Sequence, residues 1–174
     1  AFKDLQSFLD IYYSGASVLL HEEDFFDLGV AYFRRAAADH VVHAELFFDP
    51  QTHTERGVPF AAVINGLTRA CETAQRELGV SALLIMCFLR HLSEEAAFET
   101  LAQALPHRHQ FIGVGLDSGE RQQRTLGKHL VAELHAQGAD ALSLGDWRHQ
   151  GLGALDLGLG HLAGAERAAG AADV

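Results

Sequence analysis

Residues 82–96 read Ala82-Leu-Leu-Ile-Met-Cys-Phe-Leu-Arg-His-Leu-Ser-Glu-Glu-Ala96, and the order of residue types in them decides the fold class. Eight apolar residues run without interruption. Ionisable residues follow, and then Ser93 with two glutamates behind it. An unbroken apolar run of this length suits a strand covered on both faces, as in a parallel sheet flanked by helices. Ser93 is an expected helix N-cap, with Glu94 and Glu95 at the positive end of the helix dipole. Apolar strand, polar strand end, then helix is the unit of a βαβ protein whose chemistry sits at the C-terminal ends of its strands.

The same order recurs on either side. Val41–Phe48 reads as a strand ended by Asp49-Pro50, and Phe111–Leu116 as a strand ended by Asp117-Ser-Gly-Glu120. Between them, Phe60–Leu78 reads as a helix closed by Gly79 as C-cap, and the helix opened by Ser93 stops near Leu105, before Pro106. Upstream, residues 5–20 read as an amphipathic helix that pauses near Ser14-Gly15. Residues 22–38 read as a second helix with Glu22, Glu23 and Asp24 in its first turn. The order αα-βα-βα-β predicts a parallel sheet, because crossover connections of this kind are right-handed.

After Glu120 the composition changes. All eleven Phe and all three Tyr lie at or before residue 111, whereas nine of the seventeen Gly fall in the last 54 residues. Residues 1–120 are therefore expected to form one β/α unit, and residues 121–174 a divergent Gly/Ala/Leu-rich segment with little periodicity. Ordered structure is expected over Leu5–Leu116, with little protection beyond residue 145.

A net charge of −10 argues against nucleic acid or an anionic membrane surface as the main partner. No apolar run approaches the ~18 residues of a membrane span, and no basic, then apolar leader opens the chain. Cys71 on a helix-like stretch and Cys87 within a strand read as buried thiols, which fits a reducing cytoplasm.

Eleven histidines raise the question of a metal, and spacing answers it. His107-Arg-His109 has the form of a ligand pair but lies between a helix and the start of a strand, on the N-terminal side of the sheet. His43-Ala-Glu45 lacks the Pro-Cys-x-x-Cys half of the zinc base-deaminase signature. His53 follows the first strand on the expected active side, but a single histidine does not hold a metal. There is no Gly-x-Ser-x-Gly, no P-loop and no His-Glu-x-x-His, and Gly113-x-Gly115 lies inside a strand, where glycine permits close packing. Asp117, Ser118 and Glu120 are the candidate substrate-binding residues. Carboxylates at that position bind a substrate edge, orient a neighbour, transfer a proton, or cap the next helix.

Four stretches together carry a resemblance: Leu5-Gln-Ser-Phe-Leu-Asp-Ile-Tyr-Tyr-Ser-Gly15, Phe47-Phe-Asp-Pro-Gln-Thr-His-Thr54, Phe88-Leu-Arg-His-Leu-Ser-Glu-Glu95 and Val114-Gly-Leu-Asp-Ser-Gly-Glu120. They resemble the adenosine/adenine deaminase family, most closely its bacterial adenine deaminase branch, over about residues 5–120. The resemblance implies part of a (β/α)₈ barrel of the TIM type, about three parallel strands with flanking helices. It also implies a purine as ligand, a cytoplasmic setting, and removal of the exocyclic amine as ammonia by a zinc-activated water with a glutamate as general acid/base. The family's His-x-His-Leu-Glu-Gly, His-Ala-Gly-Glu and Ser-Asp-Asp-Pro segments have no counterpart here, and Ala141-Leu-Ser-Leu-Gly-Asp-Trp-Arg-His149 stands where the second would fall. No catalytic residue and no metal ligand is therefore carried over, and the chain is expected to bind no zinc and to be inactive alone. It reads as an internal piece of the family sequence, either truncated or out of frame after Glu120. The second reading is a non-catalytic α/β interaction module, or degenerate paralogue, that associates through its open sheet edges.

Overall fold

The computed structural model describes residues 3–118. Its first two helices are α1, Leu5–Ala16, and α2, Glu22–Ala38. Strand β1, His43–Phe48, leads into a short helix α3, Gln51–Thr54. Helix α4, Phe60–Thr73, ends in a π-helical turn, Ala74–Leu78, before strand β2, Ser81–Leu89. Helix α5, Glu94–Ala104, runs on as a 3₁₀ segment, Leu105–Gln110, before strand β3, Gly113–Asp117. The strands form one parallel sheet in the order β1-β2-β3.

The ends of the elements follow their local chemistry. Ser93 caps α5, its hydroxyl accepting from the Ala96 amide at 3.2 Å. Asp24 accepts from the Leu20 and His21 amides at 2.9 and 2.8 Å, and these two bonds hold its carboxyl below the usual range. Gly79 closes the turn after α4 with φ +70°, a left-handed conformation that glycine adopts without penalty.

Five boundaries differ from expectation, the first being that β1 begins at His43 and not at Val41. Helix α1 stops at Ala16, not near residue 20, because Ser17 caps it and Arg56 takes the carbonyls beyond. The stretch after Asp49-Pro50 is helical, since the φ of −62° at Pro50 already suits a helix start. His107-Arg-His109 continues the fold of α5 as 3₁₀ turns and is not a loop. Strand β3 begins at Gly113 and extends to Asp117, so this carboxylate belongs to the last rung of the ladder, paired with Leu89.

Period-two alternation divides the sheet into two faces. Leu46, Phe48, Leu84, Met86, Phe88 and Val114 join Phe25, Phe33, Val63, Ile64 and Leu67 of α2 and α4, and Leu101 of α5, in one apolar core. The other face carries Phe47, Ile85, Cys87, Leu89 and Gly115. The last six residues of β2 are buried on both faces, while Leu83 is exposed.

Helix α2 packs tightly on α4 because both present glycines. A Cβ at Gly66 would fall 2.3 Å from the Glu22 carbonyl oxygen, and one at Gly29 would fall 2.5 Å from Ala70 Cβ. Arg69 of α4 pairs with Glu22 at 2.8 Å and Glu23 at 3.1 Å and stacks over Phe26, which fixes the register of this pair.

Candidate site at the strand ends

The C-terminal ends of the parallel strands bring together residues far apart in sequence. Asp49 leaves β1 and is buried. Its carboxylate accepts from the Tyr12 hydroxyl at 3.2 Å and from the Thr52 hydroxyl. Gln51, 2% exposed, accepts at Oε1 from the Leu89 amide at 2.8 Å, tying the end of β1 to the end of β2. Arg90 extends the ladder past β2, its amide donating to the Asp117 carbonyl and its Nη2 to the Leu116 carbonyl, each at 3.0 Å.

Asp117 ends β3 on the face that carries Cys87 and Gly115, and its Oδ1 accepts from the Ser118 amide at 2.5 Å. Ser118 has φ +74°, a sparsely populated region for a residue other than glycine. Its hydroxyl lies 3.0 Å from Nδ1 of His91 and 3.5 Å from the hydroxyl of Tyr13. Glu120 lies outside the described residues, as do residues 121–174, where a divergent segment is expected.

Helix α1 crosses these strand ends. Tyr12 reaches Asp49 after β1, and Tyr13 reaches Ser118 after β3. The chemistry presented is therefore two carboxylates, two phenols, a serine hydroxyl and an imidazole. That is a set of hydrogen-bond donors and acceptors at the strand ends. Ser118 and His91 form a hydroxyl–imidazole contact, but among the described residues no carboxylate orients His91, which an activated nucleophile would need.

Burial first, and then the nearby carboxylates of Asp117 and Asp49, push the Cys87 thiol well above its ordinary value. Burial likewise pushes Cys71 up to about 12. Both cysteines are free; Cys87 is buried as expected, whereas Cys71 on α4 is only half-buried.

Three of the histidines weighed as ligands, His53, His43 and His107, are occupied elsewhere. His53 is buried, not on an open loop. Its ring packs edge-to-face on Phe25 at 4.8 Å, and Nδ1 takes a hydrogen bond from Arg56 at 3.0 Å. Burial and the Arg56 charge bring its pKa down to about 4. His43 sits at the opposite end of β1, 2.7 Å from the Ser81 hydroxyl and 3.9 Å from Glu45. His107 bonds Gln110 at 2.8 Å and packs on Phe60. Among the described residues no three His, Cys, Asp or Glu converge as metal ligands, so these residues by themselves do not supply the three ligands of a catalytic zinc.

Of the residues singled out in the sequence, Asp117 and Ser118 lie together at the mouth. Tyr12, Tyr13 and His91 were not singled out. Periodicity marks the two tyrosines only as part of an amphipathic helix, and His91 shows only as a polar residue after an apolar run.

The sequence profile of the adenosine deaminase family matches residues 1–143. The adenine deaminase of Trichlorobacter lovleyi is 59% identical over 150 residues, covering 79% of this chain and 43% of its own length. Among solved structures, the adenine deaminase of Arthrobacter aurescens superposes with a TM-score of 0.76 at 44% identity, over 80% of this chain and 43% of that one. An amidohydrolase from Burkholderia ambifaria, solved with bound zinc, superposes with a TM-score of 0.66 at 25% identity, over 71% of this chain and 35% of that one. The chain thus spans less than half the length of these relatives, and its three-stranded sheet with flanking helices is the expected part of their barrel fold.

Proposed function

This chain belongs to the adenosine deaminase family, and we propose that its function is the hydrolytic deamination of adenine or adenosine, with water consumed and ammonia released. The observation that carries the reading is the identity of 59% to an adenine deaminase over 79% of the chain. In this family a bound zinc supplies the activated water. The described residues converge no ligand set for it, so no step is assigned to them through the metal, and we propose that the chain by itself does not turn over.

Its part is to hold the substrate at the strand ends. The Asp117 carboxylate accepts from an N–H of the purine, the Ser118 hydroxyl donates to or accepts from a ring nitrogen, and Glu120 acts with them as a second carboxylate. Support comes from the position of Asp117 on the last rung of β3, on the face opposite α2, α4 and α5, and from the backbone of Ser118, held left-handed at the same point. Titrating adenine into ¹⁵N-labelled protein tests this. The amides of residues 115–118 should shift, and Asp117→Asn should weaken binding about tenfold, the loss of one charge-assisted hydrogen bond. Shifts confined to the far end of the sheet would refute the assignment. The free thiols of half-buried Cys71 and buried Cys87 support a cytoplasmic setting.

A second reading rests on the edges of the sheet. Among the described residues the outer edges of β1 and β3 pair with no further strand. Val42, Leu83 and Ile112 are exposed at the same end of the sheet. Open edges beside apolar side chains favour pairing with another copy.

A further inference from the structure

Arg56 follows α3, and among the described residues its guanidinium bonds no carboxylate. Nη1 donates to the Ser17 carbonyl at 3.0 Å, and Nη2 donates to those of Ala16 at 3.1 Å and Leu19 at 3.3 Å. Nε donates to the Thr52 carbonyl at 3.2 Å, and Nη2 also meets Nδ1 of His53 at 3.0 Å. One side chain thus collects the carbonyls at the C-terminal end of α1, where the helix dipole favours a cation, and fastens them to the helix that leaves β1.

The rest of α1 lies half-buried along the strand ends. Leu5 and Ile11 are 55% and 58% exposed, and the helix meets the strand ends through Tyr12 on Asp49 and Tyr13 on Ser118. These two hydroxyls reach their partners only if α1 keeps its place across the sheet. His53 supplies the second half of the fastening. As a neutral imidazole it accepts from Arg56, where a protonated ring would repel it.

We propose that Arg56 is a positioning residue that straps α1 across the strand ends, setting Tyr12 against Asp49 and Tyr13 against Ser118 as one wall of the ligand site. The proposal rests on the reading of that site as the purine-binding mouth. A lysine could not replace it, since a single ammonium on a flexible stem lacks the planar fork that reaches several carbonyls at once.

The test is hydrogen exchange on the full chain, with ¹³C-labelled tyrosine rings followed in the same samples. Arg56→Gln should speed exchange in residues 5–19 at least tenfold, leave 81–89 unchanged, and move the Tyr12 and Tyr13 resonances toward solvent values. Arg56→Lys should recover only part of the protection. Arg76→Gln, which removes an exposed contact to Glu77, should change none of these. Unchanged exchange and tyrosine signals in Arg56→Gln would overturn the strap, and so would an equal loss across 81–89, which would make Arg56 a support of the whole fold. Both readouts are taken without ligand. Adenine is then titrated into the same proteins, and wild-type signals that ignore it would count against the purine site while leaving the strap as measured.

Discussion

The hydroxyl of Tyr12 donates to Oδ1 of Asp49 across 3.2 Å, joining the middle of α1 to the end of β1. Asp49 is buried, and a buried carboxylate that loses a donor keeps its desolvation cost. Tyr12→Phe should therefore cost about 1 kcal/mol in global stability, read from urea unfolding. The change should also loosen α1 more than β2. A variant as stable as the wild type would show that this bond contributes nothing.

The contact between α2 and α4 makes Gly66 the least replaceable glycine in the helices. The space for a Cβ is taken by the Glu22 carbonyl oxygen at 2.3 Å and Phe25 Cβ at 2.8 Å, and a backbone carbonyl cannot swing aside. Gly66→Ala should destabilise by about 3 kcal/mol, toward the upper end for overpacking. Gly15→Ala, with nothing within 4 Å of its Cβ, should stabilise by about 0.5 kcal/mol through lower unfolded-state entropy. Thermal melts of the two variants should move in opposite directions. Equal shifts would contradict the close helix contact.

His53 gives the fold an acid limit. Its folded pKa is about 4 against 6.5 when unfolded, so its contribution is complete above pH 6.5. It is lost as pH falls from 6.5 to 4, where the unfolded chain binds the proton and the folded one does not. The linkage amounts to at most about 3 kcal/mol. His53→Gln keeps an acceptor for Arg56 and does not titrate, so the variant should lose less stability over that window. Parallel stability curves for the two proteins would show that His53 is not buried neutral.

The exposed edges predict association. Light scattering on the purified chain should show species larger than a monomer, since among the described residues no further strand pairs with the outer edges of β1 and β3, and Val42 and Ile112 are exposed there. A monodisperse monomer with a sharp, cooperative melt would remove the edge-pairing reading.

The elements were legible wherever local chemistry sets them. The apolar run of β2, the Ser93 cap, the Gly79 stop and the acidic first turn of α2 each place an element within a residue or two of its observed boundary. The helix end at Ala16 was not legible, because a side chain 40 positions away determines it. Helix α3 was hidden for a similar reason, since Gln51 is anchored by an amide of β2. At the mouth, Asp117 and Ser118 stood out by their place after an apolar run. Tyr13 meets Ser118 across a separation of 105 residues, and no periodic pattern encodes that convergence.

We propose that the strand ends of this chain hold a purine and that the described residues alone carry no metal centre, and ammonia release tests this most directly. The purified chain, given adenine or adenosine and added zinc, should release no ammonia above a buffer blank. Turnover above the blank that a chelator abolishes would contradict the account and would require a complete zinc site within these 174 residues.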